Sequence, residues 1–291
     1  MSLITESTFR VRHYECDAYG HVNHANYLRY MQEAAFESSA AAGYDVPRYQ
    51  AMNRAWVVRE SDITYLRPLT YGDSVTVKTW VSDFRRIRCR RSYELHNAHS
   101  GELSAQAITD WVYLDASSLR PLAIPPELVT AYWPDGPPDE IPEREPFPKA
   151  PPPPPGVFTM RRPVRWRDID AAGHVNNAAY VAYIEDCGVE VAAAYNWPMS
   201  RMMEAGFGLI ARRYQIEYRL PAFLDDELEL STWVSNLKRV TAIRHYTIKR
   251  VKDGALLARA HVLWVWVNLE TGKPIRFPKN FLDAFSDHIV R

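Results

Sequence analysis

The sequence has few cysteines, few glycines and no net charge, and each shortage removes a class of explanation. Three cysteines in 291 residues, Cys16, Cys89 and Cys187, leave an odd thiol and show no metal-ligand spacing. Neither a disulfide framework nor a zinc site is expected, and reduced thiols in a cytoplasmic protein fit best. Lys and Arg number 35, as do Asp and Glu, so the chain as a whole has no charge with which to hold nucleic acid or an anionic membrane. The 12 glycines form no phosphate-binding loop, and no cofactor or metal is expected. No run reaches the roughly 18 apolar residues of a membrane span, and the opening "MSLITESTFRVRHYECD" lacks the apolar centre of a signal peptide. What remains is globular in composition, 47% apolar and 24% charged. At about 150 residues per domain its length suggests two domains.

One phrase is written twice. "DAYGHVNHANY" (Asp17–Tyr27) and "DAAGHVNNAAY" (Asp170–Tyr180) share Asp, Ala, Gly, His, Val, Asn, Ala and Tyr at an offset of 153 residues (170 − 17). The same offset, without a gap, places Arg59 on Arg212, Tyr65 on Tyr218, Pro68 on Pro221, Trp80-Val81-Ser82 on Trp233-Val234-Ser235, and Trp111 on Trp264. Two copies of one domain follow. Between them runs "PPELVTAYWPDGPPDEIPEREPFPKAPPPPPG". Proline at this density fixes φ and removes donors, so an extended linker without helix or central strand is expected over 126–156. The domains are then 1–125 and 157–291.

Each copy reads alike. An opening strand (Phe9–Glu15; Pro163–Asp168) leads into the polar phrase. A helix follows, with Tyr27, Tyr30, Met31, Ala34, Ala35 and Ser38 recurring at three and four, and Tyr180, Tyr183, Ile184, Cys187, Val191 and Ala194 doing the same in the second copy. Four alternating segments then read as antiparallel strands, "WVVRESDITYLRP", "DSVTVKTWVSDF", "RCRRSYELHN" and "LSAQAITDWVYLD" in the first copy, with counterparts in the second. The fold class is α+β: a long helix wrapped by a curved antiparallel sheet, twice.

This order, with D-x-x-G-H-V-N-x-x-x-Y ahead of the long helix, resembles the hotdog-fold acyl-CoA thioesterases of the 4-hydroxybenzoyl-CoA thioesterase-like family. "VRHYECDAYGHVNHANYLRYMQEA" carries the resemblance in the first copy and "VRWRDIDAAGHVNNAAYVAYIED" in the second. It implies two hotdog domains paired as an intrachain pseudo-dimer, with sites between the copies and further assembly to a homo-oligomer. The substrate it implies is acyl-CoA, or an acyl group on acyl carrier protein (ACP), with no nucleic-acid or membrane partner. By position the nucleophile or general base is Asp17 in one copy and Asp170 in the other. Glu15 and Asp168 align with a variable position and are given no role.

The residue types suit that chemistry. Thioester cleavage needs a base or nucleophile on one side and donors for the developing oxyanion on the other. Gly20 and Gly173 let a carboxylate reach past a turn, and the N–H groups of the helix that starts soon after are oxyanion donors by expectation. His21 and His174 are candidates to orient water or the carboxylate. Gly20, Asn23 and Tyr27, with Gly173, Asn176 and Tyr180, are candidate substrate contacts. A second reading makes the asparagines loop fasteners and the tyrosines core packing. A basic turn in each copy, "RRIRCRR" and "KRVTAIRH", offers guanidinium groups for CoA phosphates, with Arg86 and Arg88 as candidates; a solvent-facing strand end is the alternative. A hotdog hydratase and a non-catalytic acyl-thioester binder stay open. The copies differ at Tyr19 and Ala172, His24 and Asn177, Asn26 and Ala179, and Glu60 and Arg213, which predicts two sites of unequal activity or preference.

Overall fold

Alternating apolar and polar residues in each copy become long strands of a computed structural model, which describes residues 2–141 and 143–290. Met1 and Arg291, the outer bounds of the expected domains, and Pro142 of the expected linker lie outside the described residues. The chain divides into two compact units, Met1–Pro146 and Phe147–Arg291.

In the first unit β1 (Ile4–Arg10) precedes the helix α1 (His24–Ala41), a short α2 (Val46–Ala51), and the strands β2 (Arg54–Tyr65), β3 (Ser74–Phe84), β4 (Arg88–Asn97) and β5 (Leu103–Asp115). The sheet order is β1-β3-β4-β5-β2, every pairing antiparallel. Helix α1 lies against β1 and β3 and buries Tyr27, Tyr30, Met31, Ala34, Ala35 and Ser38, the stripe predicted from their spacing.

The second unit repeats this plan. After α3 (Pro126–Tyr132) come β6 (Phe158–Pro163), α4 (Asn177–Ala194), α5 (Met199–Glu204), β7 (Phe207–Tyr218), β8 (Glu227–Ser235), β9 (Thr241–Arg250), β10 (Leu256–Asn268) and α6 (Lys279–Ala284). Its sheet order is β6-β8-β9-β10-β7. Helices α1 and α4, and strands β2 and β7, β4 and β9, β5 and β10, start and stop at the same 153-residue offset (177 − 24). Both units therefore share the α+β plan of a helix on a curved sheet. Among the described residues no helix is long and apolar enough to cross a membrane.

Two expectations need correction. The opening strands end early, at Arg10 and Pro163, and the polar phrase is entered through a 3-10 turn, His13–Glu15 and Trp166–Asp168. The segment expected to be a helix-free linker opens on α3. Proline is excluded from a helix interior but suits its first turn, where the missing N–H has no partner to lose. Pro126 holds that place, and "ELVTAYW" continues the helix. Leu128 is fully buried, and the Trp133 indole donates to the Val81 carbonyl at 2.9 Å. Helix α3 stands at the position of α6, whose Phe281 and Phe285 are buried in the second unit's core.

Candidate active site

The polar phrase folds into a closed turn. Asp17 N–H donates to His21 O at 2.8 Å, and Gly20 N–H returns to Asp17 O at 3.0 Å. Gly20 takes φ +79° and Gly173 φ +80°, the left-handed region that glycine enters without a Cβ penalty. The Asp17 carboxylate, half-buried, accepts Tyr19 N–H at 2.9 Å and His21 N–H at 3.2 Å on Oδ1. Asp170 accepts Ala172 N–H at 2.9 Å on Oδ1 and the Asn176 amide at 3.1 Å on Oδ2. Each carboxylate is thereby aimed by its own loop, an Asx-type turn. The His174 ring places Nδ1 3.3 Å from Val175 O, where it donates. His21 lies on the same turn as Asp17, its backbone bridged to Thr70.

Asn23 and Asn176 are helix N-caps. Their side chains accept the N–H of Ala25 at 3.0 Å and Ala178 at 2.9 Å. Asn26 N–H bonds Asn23 O at 2.9 Å, and Ala179 N–H bonds Asn176 O at 2.9 Å. Two of the N–H groups expected to polarise a carbonyl are therefore already engaged at each helix start. The asparagines fasten the loop to the helix, the second of their two readings.

Tyr27 and Tyr180 are 3% exposed and pack edge-on against Tyr65 and Tyr218 at 5.1 and 5.4 Å. The Tyr180 hydroxyl accepts Ala222 N–H at 3.2 Å, and burial pushes its pKa up to about 12. These are contacts between buried or nearly buried side chains. Arg86 and Arg88 lie elsewhere in the unit. Both are exposed on the turn joining β3 to β4. The Asp17 loop is tied to the opposite end of β3, through Val22 N–H to Leu69 O and His21 with Thr70. At roughly 3.3 Å per residue the length of that strand, about 30 Å, separates them.

The carboxylates given no role, Glu15 and Asp168, are buried just ahead of the polar phrase. Glu15 is buried; it accepts Arg12 N–H at 2.7 Å and the Tyr30 hydroxyl at 2.7 Å, and its carbonyl accepts the Asn26 amide at 2.8 Å. Asp168, also buried, accepts Arg165 N–H at 2.9 Å. The Tyr30 phenol is raised, by burial first and then by its bond to Glu15, and burial also raises Tyr183. A second shared device is a β-bulge at Arg59 in β2 and at Arg212 in β7, the same aligned residue; bulges re-aim side chains next to sites.

No thiol is activated. Burial raises Cys16, with Asp17 and Glu15 adding to it, and lifts Cys89 and Cys187 to about 12. His24, at the start of α1, is lowered to about 4 by burial, with His21 adding to the shift.

A helix on a curved five-stranded sheet, entered through an aspartate–glycine–histidine turn, defines each unit as a hotdog domain. The chain belongs to the thioesterase-like superfamily, whose family model matches residues 11–132 and 164–285. It is similar to the palmitoyl-acyl carrier protein thioesterase of Arabidopsis thaliana, at 24% identity over 280 residues, covering 90% of this chain and 64% of that one. The acyl-CoA thioester hydrolase YbgC of Escherichia coli is 32% identical over 128 residues, 43% of this chain and 95% of its own. Among solved structures, a 12:0-ACP thioesterase from Umbellularia californica superposes with a TM-score of 0.70 at 21% identity, covering 90% of this chain and 93% of that one. The chain spans 46% of the length of the palmitoyl-acyl carrier protein thioesterase of Cuphea hookeriana, which it also matches.

Proposed function

We propose that the protein hydrolyses acyl thioesters, with acyl-CoA as the first substrate class, releasing a free carboxylic acid and CoA. The observation that carries this reading is the half-buried carboxylate at the entry to each long helix, held by backbone donors in a glycine turn and written twice. Acting as a base, Asp17 or Asp170 takes a proton from water as the water oxygen adds to the thioester carbon. Collapse of the tetrahedral intermediate breaks the C–S bond, and sulfur leaves as a thiolate that takes up a proton. Acting as a nucleophile, the same carboxylate forms a mixed anhydride that water then cleaves. His21 and His174, on the same turns, orient the water.

Acyl-ACP is the second reading. One observation favours it: the Arabidopsis relative, which covers 90% of this chain and so both copies, is named for that substrate.

The test is release of free thiol from short, long and aromatic acyl-CoAs and from acyl-ACP, with wild type set against Asp17→Ala/Asp170→Ala. Loss of turnover in the double variant is expected, by about 1,000-fold or more. Turnover that survives in the double variant refutes the aspartate mechanism. A folded wild type that releases no thiol from either carrier refutes the hydrolase.

A further inference from the structure

In the first copy, the residue between Ala18 and Gly20 is a tyrosine, and in the second it is Ala172. The Tyr19 backbone N–H is bound to Asp17 Oδ1 at 2.9 Å, which fixes the side chain's root beside the carboxylate. Its hydroxyl oxygen is buried, yet among the described residues it has no hydrogen-bond partner. A buried hydroxyl left unpaired is destabilising, a cost that a partner arriving from outside the fold would offset. The N-caps sharpen the point, because they engage helix N–H groups that a thioester carbonyl would otherwise have found.

We infer that the Tyr19 hydroxyl donates a hydrogen bond to the thioester carbonyl oxygen bound beside Asp17, and to the oxyanion that forms there, making Tyr19 a catalytic residue of the first copy alone. This inference rests on the hydrolase reading above. The geometry suits it: root and carboxylate belong to one closed turn, so the donor and the base or nucleophile share a rigid frame. The phenol is raised, by burial first and then by the charge of Asp17, so it holds its proton at neutral pH and acts as a donor. Ala172, exposed, has nothing to offer in its place. The second copy then works without this donor, which gives the unequal sites a chemical cause.

The test uses the full chain and thiol release from whichever acyl thioester wild type cleaves. Asp170→Asn silences the second copy. Adding Tyr19→Phe, which removes one oxygen and keeps the ring, is expected to lower kcat by about 100-fold with KM within about twofold, as for the loss of one oxyanion donor. In the Asp17→Asn background, where the first copy is silent, Tyr19→Phe is expected to add nothing. A kcat that Tyr19→Phe leaves intact in the Asp170→Asn protein overturns the inference while the hydrolase stands. So do equal losses in both backgrounds, which mark a folding defect, and so does an Asp170→Asn protein with no turnover. A wild type that cleaves no acyl thioester overturns the hydrolase itself, and this inference with it.

Discussion

Strands β4 and β5 of the first unit and β9 and β10 of the second hold the same places in their sheets, yet one aligned cross-strand pair carries opposite chemistry, buried ions in the first and half-buried hydrocarbon in the second. In the first, the cross-strand pair Arg90 and Asp110 is a buried, two-pronged ion pair with N–O distances of 2.9 and 3.3 Å. Arg144 bridges Asp110 at 3.3 Å and Asp83, which is fully buried and also receives Arg85 at 3.1 Å. In the second, the aligned pair is Ile243 and Leu263. Two residues along, Ser92 faces Ile108 in the first unit, whereas His245 faces His261 in the second, ring edge to ring face at 4.6 Å. The helices show the same exchange. Phe9 stacks on Tyr30 at 5.6 Å, while the aligned Arg162 lies over Tyr183 at 3.8 Å. One backbone accepts ions or hydrocarbon at a given pair of positions, provided both members of the pair change together.

The sharpest way to break that comparison is to change one member alone. Asp110→Leu leaves Arg90 buried without its carboxylate and is expected to cost about 3–5 kcal/mol. Arg90→Ile added to it installs the second unit's own pair and is expected to recover most of that loss. Urea unfolding of the single and double variants reads both values, and a double variant no more stable than the single one refutes the exchange. The histidine pair gives the next effect. Burial lowers His261 to about 4, with Arg259 adding to the shift; burial likewise lowers His245 to about 3, helped by His261 and Arg244. The unfolded chain takes up these protons near pH 6.5, before the folded protein does. Stability is therefore full above that pH and falls as pH drops toward 4, by up to about 1.4 kcal/mol per pH unit for each histidine. His245→Ser with His261→Ile, the first unit's residues, is expected to flatten that slope in denaturant midpoints measured from pH 7 to pH 4.5. The slope does not vanish, because His24 and His288 are depressed in the same direction. The smallest effect concerns what the units share. Asn23→Ala and Asn176→Ala each remove a helix cap and are expected to cost about 1 kcal/mol. Near-equal values in thermal unfolding would show that the two turns are alike where their sequences are.

The strands and long helices were legible because their signals are local. Alternation over "LSAQAITDWVYLD" and the three-and-four spacing from Tyr27 to Ser38 each fix an element and its buried face. The doubled phrase located the Asp17 and Asp170 turns for the same reason, since a glycine with φ near +80° must be a glycine. Long-range partners were not legible. Nothing in "PPELVTAYW" announces that Trp133 finds Val81, and Glu15 owes its burial to Tyr30, fifteen residues away. Tyr19 showed in the sequence only as a difference between the copies; its buried hydroxyl is a property of the fold.

The closed turn also bears on how substrates are told apart. Ordering a free loop costs about 1–2 kcal/mol per residue in conformational entropy. Residues 17–21 and 170–174 have met that cost during folding, through backbone bonds such as Asp17 N–H to His21 O and Asp170 N–H to His174 O. Under the proposed hydrolase reading, an acyl thioester reaching either carboxylate spends none of its binding energy on assembling the loop. On that same reading, discrimination between one acyl chain and another arises away from the turn, where it can evolve without disturbing the chemistry.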